Sequence, residues 1–279
     1  MSISSVFKPA RFDGQTVRDW HNGAVSAQPR PDRERGVFET LLVLEGRAVE
    51  LDAHLARLEK SLASLFPGRN TPRGLGPRLE AAARRIGRGA LRLVVAPAGD
   101  SAFAATIETA EIKPGKVLPP APASVRCQSL VVPGGLGAHK WADRRLVERA
   151  EEGLGPDTVP LIVDWDGSVL EASRANVFAV VGGALLTPHA DGRILAGVSR
   201  AGVLRLATGT GFEIREAALP RERLGEADEV FLTSSVRGVE LVEAIDGTPL
   251  AGDGAVAVRV AAAMRQAWSQ DGLDRVPRR

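Results

Sequence analysis

The sequence predicts a mixed α/β (α+β) protein of two domains, the second rich in antiparallel strands. Three observations carry that prediction. Before residue 112, apolar residues switch between strand-like and helix-like spacing. From Lys113 to Pro122, four prolines in ten residues disfavour both helix and sheet interior. Beyond that stretch, short apolar runs are joined by Asp166-Gly167 and Gly182-Gly183, which favour hairpin turns. The division that follows is an N-terminal α/β domain at 1–115, a linker at 116–124 and a C-terminal domain at 125–279.

Residues up to Arg35 read as irregular, with Pro29 and Pro31 in a polar stretch. Val37 to Leu44 reads as a strand, Glu45-Gly46-Arg47 as its turn, and Ala48 to Leu51 as the return. Asp52 is the expected N-cap of a helix whose Leu51, Leu55, Leu58, Leu62 and Leu65 step by four and three, giving one buried face. Pro67 and Gly68 close it. A second helix is expected over Pro77 to Gly87, then strands over Ala90 to Ala96 and Ala102 to Ile112. After the linker, Val125 to Val132 reads as a strand. It leads into Gly134-Gly135-Leu136-Gly137-Ala138-His139-Lys140 and a helix expected at once, with Trp141, Leu146, Val147, Ala150 and Leu154 on its apolar face. Two hairpins follow, Val159 to Trp165 with Ser168 to Ala172, and Asn176 to Val181 with Ala184 to Thr187. Leu195 to Arg200 introduces a helix through Ala207, Glu229 to Thr233 is a strand, and Val256 to Ser269 a helix. The tail from Asp271 is charged and reads as frayed.

Composition narrows the function classes. The 36 basic and 34 acidic residues are well mixed, and only 4% of residues are aromatic, so nothing points to nucleic acid. A single cysteine, Cys127, rules out an internal disulfide, and four scattered histidines lack metal-ligand spacing. With no signal-type or membrane-spanning apolar run, the chain reads as cytoplasmic, with no membrane partner.

Lys140 stands out. A lysine at the mouth of a glycine-rich turn can face a cavity, although most lysines are simply solvated. The segment Leu195-Ala196-Gly197-Val198-Ser199-Arg200 offers a second signal. A glycine turn opening a helix presents free backbone N–H groups, and the dipole favours an anion there.

Taken in order, these motifs resemble the class IV aminotransferases, fold type IV enzymes dependent on pyridoxal phosphate. That family includes branched-chain and D-amino-acid aminotransferases and 4-amino-4-deoxychorismate lyase. The resemblance runs from Gly36 to Arg237. It implies a smaller N-terminal α/β domain, a C-terminal pseudo-barrel and pyridoxal 5'-phosphate as cofactor, with no metal. Lys140 matches the lysine that bonds to the cofactor and then serves as a base. Arg57, in His54-Leu55-Ala56-Arg57-Leu58, matches the arginine that binds the cofactor phosphate; it shares a helix face with His54. Glu171, in Val169 to Phe178, matches the carboxylate facing the pyridine nitrogen, with Asn176 as a polar strut. Val198 and Ser199 match the phosphate-binding amides and hydroxyl. Ser235, with Ser234 beside it, matches the remaining phosphate-binding hydroxyl.

Within the family three features lean toward the lyase. Gly36-Val37-Phe38-Glu39-Thr40 and the segment 134–145 resemble lyase-like members. Arg144 and Arg145 stand where aminotransferases often place a tyrosine, and the chain has no tyrosine at all. Arg92 lies where lyases have a basic residue facing a substrate carboxylate, and Thr40 is a further substrate-facing candidate. Ala96-Pro97-Ala98 departs from the Arg-Gly that follows this strand in some lyases. Three readings stay open: a lyase making 4-aminobenzoate and pyruvate, an aminotransferase for branched-chain or D-amino acids, and a non-catalytic relative. The resemblance also implies a homodimer acting on a small molecule.

Overall fold

The computed structural model describes residues 31–112, 118, 121–210 and 212–271. The predicted irregular N-terminus up to residue 30, most of the proline-rich stretch and the tail from residue 272 lie outside the described residues.

The first sheet grows from an apolar run. β1 (Val37–Leu44) is buried along almost its whole length because both its faces are covered. It pairs with β2 (Arg47–Ala48) and with β3 (Gly89–Ala98), which pairs in turn with β4 (Ala102–Glu111), all antiparallel, in the order β2-β1-β3-β4. On one face α1 (Leu51–Leu65) and α2 (Leu75–Ile86) bring Leu58, Leu62 and Leu79 against Leu41, Leu91 and Leu93. Each such fully buried leucine is worth about 1.5–3 kcal/mol. On the other face Leu42 joins Phe178, Phe231, Met264 and Trp268, a cluster that fuses the two halves of the chain.

The expected cap of α1 is corrected. Glu50, not Asp52, sits at the N-cap, with φ 51 and no side-chain capping bond. The Glu50 carboxylate is instead bonded to Arg205 at 2.7 Å. Asp52 lies in the first helical turn, where its charge favours the helix dipole.

The second sheet contains β5 (Ala123–Val131), β6 (Thr158–Val163), β7 (Ser168–Ala172), β8 (Asn176–Val181), β9 (Ala184–Thr187), β10 (Glu213–Glu216), β11 (Leu219–Pro220), β12 (Glu229–Ser234), β13 (Gly238–Ile245) and β14 (Thr248–Pro249). Its order is β10-β9-β8-β12-β13-β5-β6-β7-β11, with β14 beside β13. Both predicted hairpins form. The sheet is nevertheless mixed: β5 runs parallel to β13 and to β6, and β10 parallel to β9. The cause is connectivity. Between β5 and β6 the chain passes through α3 (Arg145–Glu152), and between β9 and β10 through α4 (Val198–Thr210); parallel neighbours need such crossovers. A short α5 (Arg221–Leu224) precedes β12, and α6 (Ala255–Asp271) closes the fold. Buried Glu229 accepts the Val256 and Ala257 amides at 2.8 and 2.9 Å, capping α6. No helix among the described residues is long and apolar enough to cross a membrane.

The helix expected directly after Lys140 begins later, at Arg145. Residues 140–142 instead form a short bridged strip along the start of β1. Phe38 N–H donates to the Lys140 carbonyl at 2.8 Å, Ala142 N–H to the Gly36 carbonyl at 3.0 Å, and Trp141 bridges Val37. Trp141 owes its burial to the first-sheet core, not to α3.

Candidate active site

The strip that displaces the helix fixes Lys140. Its backbone is locked to Phe38, and its amine lies 4.7 Å from the Phe38 ring centre. The approach to it needs glycine. Gly135 has φ +72, and a Cβ there would fall 2.1 Å from the Arg193 carbonyl. Gly137 N–H donates to that same carbonyl at 3.1 Å, holding the loop down. Lys140 is half-buried, its amine ringed by protein atoms. Burial, with Arg57 and Arg144 nearby, pulls the amine down to about 7 against the opposing carboxylates of Glu39 and Glu171.

Glu171 ends up on β7, 5% exposed. Leu195 N–H donates to its carboxylate at 3.3 Å, and Asn176 Nδ2 lies 3.4 Å from Oε2. Burial raises Glu171 to about 8; the Leu195 amide and the charges of Lys140, Arg144 and Arg57 only partly counter it. Asn176 also donates to the Leu195 carbonyl at 3.0 Å, so the strut expected from the sequence ties β8 to the turn before α4. Gly197 leaves room for that strut, because a Cβ would lie 1.9 Å from Asn176 Oδ1 and the Asn176 side chain would have to shift.

At the start of α4, Val198 and Ser199 are buried. Their amides belong to the first helical turn, whose N–H groups have no partner within the helix. Ser199 Oγ lies 3.3 Å from Ser235 Oγ, which joins α4 to the end of β12. Ser234 is placed differently: its hydroxyl accepts the Arg237 amide at 3.3 Å and serves the turn. Arg57, on α1, reaches across to donate to the Ala196 carbonyl at 3.1 Å, so it meets the same helix start.

What holds Arg57 there was not anticipated. Glu39 is 2% exposed and takes Arg57 through two bonds, Nε to Oε1 at 2.9 Å and Nη2 to Oε2 at 2.6 Å. His54 Nδ1 lies 2.7 Å from the same carboxylate. Burial alone would raise Glu39, yet Arg57 and His54 outweigh it and hold the group at about 2. The signal was present: an acid inside the otherwise apolar run Val37 to Leu44 had to be paired.

Thr40 is half-buried on β1, opposite Arg92 on β3 in the pairing register. Arg92 lies over the Phe38 ring at 4.3 Å, and Arg144 approaches that ring at 6.0 Å. Arg145 is exposed and bound to Asp143, so of the two arginines only Arg144 faces this ring. Lys140, Glu171, Arg57, Val198, Ser199 and Ser235 thus converge where both sheets meet the start of α4.

The amino-transferase class IV family matches residues 36–245, three-quarters of the sequence and every element named above from β1 to β13. The chain belongs to that family. Among solved structures, the 4-amino-4-deoxychorismate lyase of Pseudomonas aeruginosa is 25% identical and superposes with a TM-score of 0.68 over 88% of this chain and 96% of that one. A hypothetical aminotransferase of Mycobacterium tuberculosis, solved with pyridoxal phosphate bound, is 27% identical with a TM-score of 0.72 over 86% of this chain and 90% of that one. Among curated relatives, branched-chain-amino-acid aminotransferase 1 of Arabidopsis thaliana is 35% identical over 100 residues, which are 36% of this chain and 26% of that protein. The Escherichia coli branched-chain-amino-acid aminotransferase is 36% identical over 87 residues, 31% of this chain and 28% of that protein. The matched stretches thus cover little more than a quarter of these curated relatives. The mixed α/β architecture is that of the fold type IV enzymes in this class IV family.

Proposed function

We propose that this class IV family member is a pyridoxal-phosphate-dependent lyase that converts 4-amino-4-deoxychorismate to 4-aminobenzoate and pyruvate. The residues fit the cofactor. Arg57, the Val198 and Ser199 amides, and the Ser199 and Ser235 hydroxyls form an anion cradle for its phosphate. Lys140 offers an amine that loses its proton near neutral pH, as attachment to an aldehyde requires. Glu171 offers a buried carboxyl for the ring nitrogen.

The observation that carries the lyase reading is the wall around Lys140. It holds Phe38, Arg92 and a half-buried Arg144, with no tyrosine. Such a wall suits an anionic ring better than a branched aliphatic side chain. When bound, the cofactor supplies an electron sink for the carbon that bears the substrate amine. Glu171 holds the charge state of that sink. Lys140 removes the proton from the amine-bearing carbon and returns one to the departing enolpyruvyl group, which leaves as pyruvate. The remaining ring becomes aromatic, which drives the step forward. The aminotransferase reading is favoured by the names of the curated relatives and uses the same residues.

The deciding experiment is incubation with aminodeoxychorismate. Equal amounts of 4-aminobenzoate and pyruvate are expected, with no keto-acid acceptor. Conversion of an amino acid only when 2-oxoglutarate or pyruvate is supplied, without 4-aminobenzoate, would install the aminotransferase reading instead. We further propose that the two sheets belong to separate domains and that the protein works as a homodimer.

Lys140 also sets a pH dependence. Its amine must be neutral to capture the cofactor. The loading rate of cofactor-free protein, followed by absorbance, should therefore rise with pH and be half-maximal near 7. A rate still climbing at pH 10 would mean an unperturbed lysine.

A further inference from the structure

We infer that Asp164 and Arg193 are positioning residues: together they clip the glycine loop that carries Lys140 to the segment that bonds the rest of the site. Neither is among the residues proposed to touch cofactor or substrate. The inference rests on the proposed function only for Lys140 as the lysine that takes the cofactor, and not on which substrate follows.

The loop needs such a clip. Gly134, Gly135 and Gly137 all have positive φ, and a stretch this rich in glycine has little stiffness of its own. Its far end is held where the Lys140 carbonyl accepts the Phe38 amide. Its near end is held by Asp164, buried just after β6. Asp164 Oδ1 accepts the Gly134 amide at 3.0 Å and the Trp165 amide at 2.8 Å. Its Oδ2 accepts Arg193 Nη1 at 3.0 Å. The other edge of Arg193 is gripped by Asp191, whose Oδ2 accepts Nε at 2.9 Å and Nη2 at 2.7 Å. One guanidinium is thus fixed from two sides by charge-assisted bonds.

Arg193 opens a run of residues bonded in turn to the lysine loop, to Glu171 and to Arg57. The Arg193 carbonyl accepts the Gly137 amide at 3.1 Å. Ile194 shares an apolar cluster with Leu136 of the loop, Val132 and Leu170. The Leu195 amide donates to Glu171 at 3.3 Å, and its carbonyl accepts Asn176 Nδ2 at 3.0 Å. The Ala196 carbonyl accepts Arg57 Nη1 at 3.1 Å, and Gly197 leads into α4. Loop and run therefore share one anchor, the Asp164–Arg193 pair. Arg57, Ser199 and Ser235 have fastenings of their own, the Glu39 carboxylate and the contact between α4 and β12. Releasing the anchor should let Lys140 drift while those three stay in place.

The test reads Lys140 without any cofactor. Competitive acetylation of the cofactor-free protein over a pH series, followed by peptide mapping, gives the pH at which Lys140 is half-reactive. In the parent protein that midpoint is expected near 7. Burial sets it, together with Arg57 and His54 on α1, Glu39 on β1, Glu171 on β7, and Arg144 and Arg92 beside the Phe38 ring. Asp164→Ala and Arg193→Met leave all of these groups unaltered. Each should raise the midpoint to about 8 or above, because a lysine released from its enclosure regains solvation. Turnover of the loaded variants should fall about ten- to a hundredfold, the scale of a misplaced reacting group. Inorganic phosphate, titrated into the cofactor-free variants, should bind within about twofold of the parent, as expected of a site fastened independently. Asp164→Asn keeps an oxygen for the Gly134 amide and loses the charge facing Arg193, so it should fall between. Should Asp164→Ala fail to fold, Arg193→Met, which alters a part-exposed side chain, decides alone. A midpoint that stays near 7 in every folded variant, with only the melting temperature lowered, overturns the inference. So does phosphate binding that weakens as much as turnover does. If the midpoint moves in the variants while borohydride marks no cofactor on Lys140 of the parent, the clip stands and the cofactor reading falls.

Discussion

Lys140→Ala should lower turnover by about two to four decades, the scale of losing a positioned acid–base group. In the proposed mechanism two roles are lost together, the covalent hold on the cofactor and the proton carrier at the reacting carbon. The fold should survive, because the link from this residue to β1 runs through its backbone carbonyl and not its side chain. Removing the amine should even stabilise the cofactor-free protein at neutral pH. The folded-state pKa of about 7 lies below the unfolded value of 10.5, so the unfolded chain binds more protons between those values. Lys140 therefore costs stability below pH 7, and the cost fades as pH rises toward 10.5. The melting-temperature gain of the alanine variant should shrink over that same window. Borohydride treatment of the loaded protein, followed by peptide mapping, should mark Lys140. A mark on Lys60, Lys113 or Lys116 instead would sink the assignment.

Much of this site was legible because its parts are local patterns. The glycines before Lys140, the Gly197 turn before α4 and the His54–Arg57 spacing on α1 each announce backbone geometry within a few residues. The structure brings these distant stretches together through contacts that single stretches cannot show. Glu39 is the example. Its place in an apolar run was a signal left unread, and only the packing of α1 on β1 shows that it clamps Arg57 and His54. Trp141 misled for a similar reason. Its spacing matched a helix face, while its burial came from the strip beside Val37. β13 went unread because Glu240 and Glu243 interrupt its apolar alternation. Buried Glu240 is tied to Arg237 at 2.8 Å, a pairing the alternation rule does not anticipate. Arg144 and Arg145 were adjacent and equivalent in the sequence; the bond from Arg145 to Asp143 turns one outward and leaves the other beside Phe38.

Glu171→Ala should leave the cofactor bound and slow turnover about ten- to a hundredfold. The proposed phosphate cradle draws on Arg57, Ser199 and Ser235 from other elements, so retention should not depend on Glu171. In the proposed reading the carboxylate acts on the ring end. A charge-assisted hydrogen bond there is worth about 1.5–3 kcal/mol, or one to two decades in rate. Glu171→Gln separates charge from shape, because the amide can keep an oxygen toward the Leu195 N–H while losing the negative charge. It should be slowed nearly as much as the alanine variant. Stability supplies an independent readout. In the cofactor-free protein Glu171 sits at about 8, above its ordinary value of 4.5, so the folded state holds the extra proton between those values. By linkage its contribution weakens the fold as pH climbs from 4.5 toward 8. The glutamine variant should lose that slope, and its melting temperature should gain on the parent protein most at the upper end of the window. If turnover is unchanged with cofactor clearly bound, Glu171 has no part in the chemistry. A glutamine variant as fast as the parent would show that the charge is dispensable and that hydrogen bonding alone suffices.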